Sequence, residues 1–227
     1  MTSEPSAPAS EQLGTRKAEG VVAFLLAMRD KGIRDARLLR SFELIPRHRF
    51  VSSRFADLAG QDTALPIACG QTIGPPSHLA QMLAALSIAP EQTVLEVGTG
   101  TGFSTAVLSQ LAAQVISVER FKSLCIEARL RLRGFHITNT TVIHTDGTEG
   151  VSDFAPFDRI LVDASFEAPP LALLGQLVPD GRMVGIRRIG AECRLAAYHM
   201  HPERGVIETL GEKIALPPLQ SGVSLAL

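Results

Sequence analysis

The sequence lacks the features that define several classes of protein. Its three cysteines, Cys69, Cys125 and Cys193, are odd in number and form no C-x-x-C pair. This argues against a disulfide framework or a structural zinc site and indicates a reducing compartment, the cytoplasm. The formal net charge of −1 gives no overall field that would attract nucleic acid or anionic lipid, and no apolar run approaches the length of a membrane span. We therefore expect no metal site and no nucleic-acid or membrane partner, and nothing in the sequence predicts an oligomeric state.

Three segments are predicted along the chain. Residues 1–15 form a tail that we expect to be disordered, because its first ten residues are rich in Ser, Pro and Ala and have neither the basic nor the apolar region of a signal peptide. Residues 16–90 are expected to form a helical and loop segment that packs on the core. Its predicted helices span residues 21–32, 35–44 and 78–86, and its strand-like stretches lie at 50–51 and 65–67.

From residue 91 to residue 227 short apolar runs alternate with helical patterns. The predicted strands are 93–97, 115–118, 141–144, 159–162, 183–186 and 195–198, and the predicted helices are 103–112, 123–133 and 171–177. This alternation favours an α/β fold with a parallel, doubly wound sheet and helices on both faces. Such sheets bind ligands beyond the carboxyl ends of their strands, where the strand order reverses.

A glycine-rich turn directly follows the first of these strands. Gly98, Gly100 and Gly102 come after the acidic Glu96 and open the next helix. A dinucleotide site requires G-x-G-x-x-G, but the third glycine would then fall on Phe103 or Thr105. A carboxylate beside the turn suits a cationic ligand better than a pyrophosphate. A glycine turn without a ligand is the alternative.

Acidic residues also end the next three strands. Glu119 lies about 20 residues past the glycine turn, where a carboxylate can accept both hydroxyls of a ribose. Asp146-Gly147 follows the third strand, and this pair is either a simple turn or a group that hydrogen bonds to an adenine. Asp163 ends the fourth strand and is expected to face the same crevice.

Together these motifs resemble the protein-L-isoaspartate O-methyltransferases, from about Val21 to Val184. The segments that carry the resemblance are Ile45–Val51, Leu65–Ile73, Val94–Gly102, Ser117–Arg120, Asp146-Gly147 and Ala155–Asp158. The stretch Gly70–Ile73 is rather specific to this family, whereas the glycine turn indicates only a methyltransferase.

The resemblance implies a Rossmann-like, mostly parallel seven-stranded sheet with an N-terminal helical extension. It implies S-adenosylmethionine as cofactor and, as substrate, the stray carboxylate of isoaspartyl residues in damaged proteins, whose methylation starts their repair. The implied cofactor-binding residues are Glu96, Gly98, Thr99, Gly100, Thr101, Gly102, Glu119, Arg120, Asp146 and Gly147. The implied catalytic residues are Thr72 and Gly74, and the implied substrate residues are Gly74, Pro75, Asp163 and Ala164.

The sequence departs from the family at two places near the expected substrate. Gly74 stands where the family usually has a serine, and Arg187-Arg188 lies in an altered strand end. Two alternatives therefore remain open, a methyltransferase of the same scaffold with a different small-molecule or peptide substrate, and a non-catalytic S-adenosylmethionine-binding protein. A carboxylate acceptor has an unperturbed pKa of about 4 and needs no general base at neutral pH, which agrees with the lack of a Ser/His/Asp pattern.

Overall fold

The computed structural model describes residues 22–224. The predicted tail, residues 1–15, lies outside the described residues, as does the start of the first predicted helix.

The N-terminal segment contains three helices, α1 (residues 22–30), α2 (Ala36–Leu44) and α3 (Pro76–Leu86). The Asp35 side chain caps α2 by accepting the backbone N–H groups of Arg37 and Leu38 at 2.8 and 3.2 Å. Pro76 occupies the first turn of α3, a position that suits its fixed φ. All three predicted helices are therefore present.

The link between α2 and α3 consists of short 3₁₀ turns and a two-stranded antiparallel ribbon, β1 (Leu65–Pro66) and β2 (Thr72–Ile73). The predicted strand at 50–51 is wrong. Phe50 ends a 3₁₀ turn, and its fully buried ring stacks on Phe135 at a centroid distance of 5.2 Å. Both apolar residues are buried, Phe50 in an aromatic cluster and Val51 in a cluster with Ala59 and Leu65. Their apolar character reflects this burial and not an extended backbone.

The remaining chain forms a seven-stranded sheet flanked by helices. Its elements are β3 (Thr93–Val97), α4 (Phe103–Ser109), β4 (Gln114–Glu119), α5 (Lys122–Gly134), β5 (Thr140–His144), β6 (Phe157–Phe166), α6 (Leu171–Leu174), β7 (Leu177–Ile189), β8 (Glu192–His201) and β9 (Gly205–Lys213). The strand order is β5-β4-β3-β6-β7-β8-β9, parallel as far as β7 and antiparallel from β7 to β9. The predicted fold class is confirmed.

Two details of the sheet differ from the sequence prediction. The predicted helix at 171–177 ends at Leu174, and Leu177 already begins β7. The seventh strand, β9, has no counterpart among the strands located by periodicity. Seven of its nine residues are exposed, so no apolar alternation marks it.

The strand order reverses at the centre of the sheet. The chain leaves β3 for β4 and β5 on one side and returns to β6 on the other, so a crevice opens beyond the carboxyl ends of β3 and β6. One buried cluster joins the N-terminal helices to the sheet, because Met28 and Phe42 share it with Val94 and Val107. None of the helices formed by residues 22–224 has the length and apolar character needed to cross a lipid bilayer.

Candidate functional site

The glycine turn forms the floor of the crevice. Gly98, Gly100 and Gly102 all have positive φ angles, of 104°, 55° and 87°, which side chains with a Cβ atom rarely adopt. The N–H groups of Gly98 and Thr99 both donate to the Val118 carbonyl, at 2.9 and 3.2 Å. The turn is thereby fastened to β4. At Gly102 an added Cβ would lie 3.2 Å from the Cβ of Ala128, so this glycine lets α5 pack closely.

Glu96 lies behind this turn and is fully buried. Its Oε2 atom accepts hydrogen bonds from the hydroxyls of Thr105 at 2.5 Å and Ser117 at 2.6 Å. Ser117 Oγ also lies 2.5 Å from Thr99 Oγ1. Burial raises the pKa of Glu96 to about 7, against the lowering effect of these hydroxyls. Glu96 is absent from the lining of both cavities described below, and its contact with a cofactor stays a prediction.

Glu119 ends β4 at the edge of the crevice and is only 5% exposed. Its Oε2 atom accepts the N–H of Gly100 at 2.8 Å, and its Oε1 atom accepts the N–H of Phe121 at 2.9 Å. Burial raises the pKa of this carboxyl, although the backbone donors oppose the shift. The side chain thus joins the glycine turn to the start of α5.

A cavity of about 220 Å³ occupies the crevice; we call it the larger cavity. The predicted residues that line it are Thr72, Gly74, Gly98, Gly100, Glu119, Arg120, Gly147, Asp163 and Ala164. Residues 216–220 cover one side of the cavity, and no sequence motif predicted this role for them.

A smaller pocket of about 40 Å³ adjoins the larger cavity. The predicted residues Pro75, Thr99 and Thr101 line this pocket, together with His78. Both spaces share a wall, formed by Ile67, Thr72, Gly74, Gly100, Asp163 and Leu216. We call residues 72–78, which comprise β2, Gly74-Pro75 and the first turn of α3, the 72–78 loop; it contributes to the lining of both spaces.

Arg47 holds this loop in place. The side chain is buried, with 6% exposure. Its Nη1 atom donates to the carbonyl oxygens of Ala59 at 3.2 Å and Gln61 at 3.4 Å, and Nη2 donates to those of Thr63 at 2.8 Å and Gly74 at 3.0 Å. In the sequence Arg47 stands out only as part of a family motif, and its anchoring role has no local signal because its four partners lie 12 to 27 residues away.

The C-terminal segment, residues 214–224, crosses the carboxyl end of β6. The N–H of Ser165 donates to Pro217 O at 2.8 Å, and the N–H of Leu219 donates to Ser165 O at 2.7 Å. The Arg120 guanidinium donates to Gln220 Oε1 at 2.7 Å and to Gly222 O at 2.9 Å. This segment has no periodic pattern, so the sequence offered no signal for its role.

Asp146 caps a turn and holds the same segment. Its Oδ1 atom accepts the backbone N–H and the hydroxyl of Thr148, at 2.9 and 2.7 Å. Its Oδ2 atom accepts the N–H of Gly222 at 2.5 Å. The contacts with Thr148 agree with the interpretation of Asp146-Gly147 as a simple turn. Asp146 is absent from the lining of the larger cavity, and an adenine contact stays a prediction.

The two arginines at the altered strand end lie away from both spaces. Arg187 pairs with Glu208 at 3.6 Å, and Arg188 Nη2 lies 3.4 Å from Ser165 Oγ. Neither side chain lines the larger cavity or the smaller pocket.

Comparison with known proteins identifies the family. The family model described as Protein-L-isoaspartate(D-aspartate) O-methyltransferase matches residues 20–214. The chain belongs to this family. As a member of the protein-L-isoaspartate O-methyltransferases, it is an S-adenosylmethionine-dependent methyltransferase, as the resemblance of its motifs predicted.

Individual relatives agree with this assignment. The protein-L-isoaspartate O-methyltransferase of Xanthobacter autotrophicus is 41% identical over 219 residues, which cover 95% of this chain and 100% of that protein. The one from Roseobacter denitrificans is 48% identical over 168 residues, or 74% of this chain and 79% of that protein.

Solved structures share the fold at lower identity. One protein-L-isoaspartate O-methyltransferase superposes with a TM-score of 0.79 and 21% identity over 89% of this chain and 67% of that chain. A Plasmodium falciparum structure, described as a protein of the same family in complex with S-adenosyl-L-homocysteine, has a TM-score of 0.74 and 20% identity over 87% of this chain and 97% of that chain.

Proposed function

We propose that this protein transfers a methyl group from S-adenosylmethionine to the free carboxylate of L-isoaspartyl residues in damaged proteins and so starts their repair. The observation that carries the proposal is the pair of adjoining spaces beyond β3 and β6, which share six lining residues. One is lined by Glu119 and the glycine turn, the other by the 72–78 loop. A donor site and an acceptor site that share a wall are what a direct transfer requires.

The larger cavity suits the cofactor. Both Glu119 oxygens accept one backbone N–H each and keep lone pairs for two ribose hydroxyls. The glycine turn lets backbone approach a ligand without intervening Cβ atoms. When bound, S-adenosylmethionine supplies a methyl group on a positive sulfonium, whose carbon–sulfur bond breaks as the ester carbon–oxygen bond forms.

The smaller pocket suits the acceptor carboxylate. Thr72 lines both spaces, and its hydroxyl is the natural donor to an acceptor oxygen at the shared wall. Ser77, a second hydroxyl of the same loop, is buried at 3% exposure and lines neither space. The acceptor is already ionised at neutral pH, so the residues of the site align it and exclude water, and none needs to remove a proton.

The partners of this reaction are isoaspartyl-containing proteins and peptides. The cytoplasm is the proposed compartment, and it is supported by Cys69, Cys125 and Cys193, which are all free thiols in the structure.

The decisive experiment compares two peptides that differ in one linkage. The protein is incubated with methyl-labelled S-adenosylmethionine and a peptide that contains one isoaspartyl residue, or its aspartyl twin. We expect a labelled, base-labile methyl ester on the isoaspartyl peptide alone. If the protein binds the cofactor and labels neither peptide, the acceptor assignment is wrong and a different substrate of the same scaffold is favoured. Labelling of other peptides or metabolites would then be sought.

A further inference from the structure

Asp163 occupies an unusual place in the site. It lies within β6 and belongs to the wall that the larger cavity and the smaller pocket share. The other five residues of that wall carry no charge, as Ile67, Thr72, Gly74, Gly100 and Leu216 show. No hydrogen bond or ion pair from another residue within 22–224 reaches the Asp163 carboxylate.

The charged groups nearest to Asp163 give it little compensation. Glu119 at the end of β4 and Glu96 in β3 are acidic. The charge of Glu119 raises the pKa of Asp163, and the charge of Asp163 raises the pKa of Glu96. Burial lowers the pKa of His78, on α3 in the smaller pocket, which keeps this ring neutral at physiological pH. The Arg120 guanidinium is held by the C-terminal segment.

The environment therefore disfavours a charge on Asp163 in the free protein. Burial, with a contribution from Glu119, raises the pKa of its carboxyl to about 6. Asp163 is half-buried and lines both spaces. An anion that is partly removed from water and has no partner is costly, so a cationic ligand group at this wall would be attracted.

The reaction determines which group that is. In the proposed reaction the methyl group would pass between the two spaces at their shared wall, so the sulfur that carries it would lie beside this wall. This sulfur is positive in S-adenosylmethionine and neutral in S-adenosylhomocysteine. We propose that Asp163 recognises the sulfonium charge and gives the site a preference for the methyl donor over the spent product.

This inference rests on the proposed function and deepens it. The carboxylate of Asp163 attracts the positive S-adenosylmethionine and has no such attraction for the neutral S-adenosylhomocysteine. This difference favours the replacement of S-adenosylhomocysteine by S-adenosylmethionine after each turnover. The ribose and adenine are common to both ligands, so residues that bind them cannot supply this preference.

Calorimetric titrations with S-adenosylmethionine and S-adenosylhomocysteine test the inference without any turnover. In Asp163→Asn we expect the Kd for S-adenosylmethionine to rise about tenfold, with the Kd for S-adenosylhomocysteine changed less than about twofold, because only the first ligand loses a charge partner. Asp163→Ser, a second neutral variant, should show the same selective loss. Thermal melting of each variant checks its fold.

Glu119→Gln is the matched control, since it removes a carboxylate assigned to the ribose hydroxyls, which both ligands have. It should weaken both ligands by a similar factor. If Asp163→Asn and Asp163→Ser also weaken both ligands equally, or leave S-adenosylmethionine binding unchanged, the inference is wrong while the proposed function stands. If the native protein binds neither ligand, the proposed function fails and the inference fails with it.

Discussion

The guanidinium of Arg47 donates to the carbonyl oxygen of Gly74 at 3.0 Å, across 27 residues of sequence. This contact ties the 72–78 loop, with Thr72 at the shared wall, to the interior of the N-terminal segment. Because the same guanidinium also binds three carbonyl oxygens of residues 59–63, one side chain determines where the loop stands.

The first prediction concerns Arg47→Lys. An ammonium cannot reach all four carbonyls at once, and buried carbonyls left without donors cost about 1–3 kcal/mol. We expect the free energy of unfolding to fall by about that amount and the KM for the isoaspartyl peptide to rise more than kcat falls. Urea denaturation and initial rates measure the two effects. Arg49→Lys, an exposed change in the same turn, is the control; equal behaviour of both variants would refute the role of Arg47.

Gly147→Ala is expected to disturb the larger cavity. An added Cβ would lie 2.6 Å from Val97 Cγ1 and 2.9 Å from Val118 Cγ2, and both valines line that cavity. Forcing them apart should cost about 1–3 kcal/mol of stability and weaken S-adenosylmethionine binding. Gly134→Ala, at the end of α5 where nothing lies within 4 Å, should not lower the stability and should leave S-adenosylmethionine binding unchanged. Thermal melting and calorimetry measure them, and a Gly147→Ala protein as stable as Gly134→Ala would contradict the close packing.

A pH dependence follows from Glu96. Its pKa is raised from 4.5 to about 7 by burial, so between these values the folded state holds a proton that the unfolded state has lost. Stability therefore falls as pH rises through this window. Glu96→Gln removes this contribution and keeps an acceptor for Thr105 and Ser117, so we expect it to be more stable than the native protein above pH 7, by roughly 2–4 kcal/mol.

Urea denaturation of the two proteins from pH 4 to pH 8 checks this difference. Glu119, whose pKa is also raised, tilts both curves in the same sense. The charge of Asp163 contributes to the raised pKa of Glu96, so this interaction is part of the measured difference. A difference between the two proteins that does not change with pH would mean that Glu96 does not titrate in this range.

Arg120→Gln should loosen the C-terminal segment. The variant loses charged hydrogen bonds to Gln220 and Gly222, each worth about 1–3 kcal/mol. We expect labelled S-adenosylmethionine to dissociate about fivefold faster, a change of about 1 kcal/mol, as measured by chase with excess unlabelled ligand. Lys122→Gln, at an exposed site two residues away, should leave the dissociation rate unchanged. Equal rates in all three proteins would show that the segment does not retain the ligand.

Gly74→Ser tests the departure from the family at the shared wall. An added Cβ there would meet Leu216 Cδ2 at 3.6 Å, an ordinary contact, so the serine is accommodated. A hydroxyl that strengthens its hydrogen bond in the transition state is worth about 1–3 kcal/mol, or roughly ten- to a hundredfold in rate on the isoaspartyl peptide. In the native protein Thr72→Val should lower the rate instead. If neither change alters the rate, no hydroxyl is needed from this loop.

Local patterns in the sequence predicted the fold class and the residues around the crevice. The glycine turn follows β3, Glu119 ends β4, and Asp163 lies in β6 directly after its last pairing with β3. The sequence predicted the end of that strand at residue 162, but β6 continues to Phe166, and the strand order brings the three features together. Their contacts with a ligand stay predictions.

Other features could not be predicted because they depend on distant contacts. Strand β9 is mostly exposed and has no alternation. The hydrogen bonds of Arg47 and the path of the C-terminal segment join stretches that are far apart in sequence. For Asp146 the sequence left two interpretations open, and its bond to Gly222 became visible only in three dimensions.

The C-terminal segment also bears on biosynthesis. A ribosome makes residues 216–220 only after every strand of the sheet, yet these residues cover one side of the larger cavity. A nascent chain can assemble the sheet and the glycine turn as it emerges, but the larger cavity stays open on one side until residues 216–220 have left the exit tunnel. The wall of the larger cavity is thus completed only after the whole sheet has been synthesised.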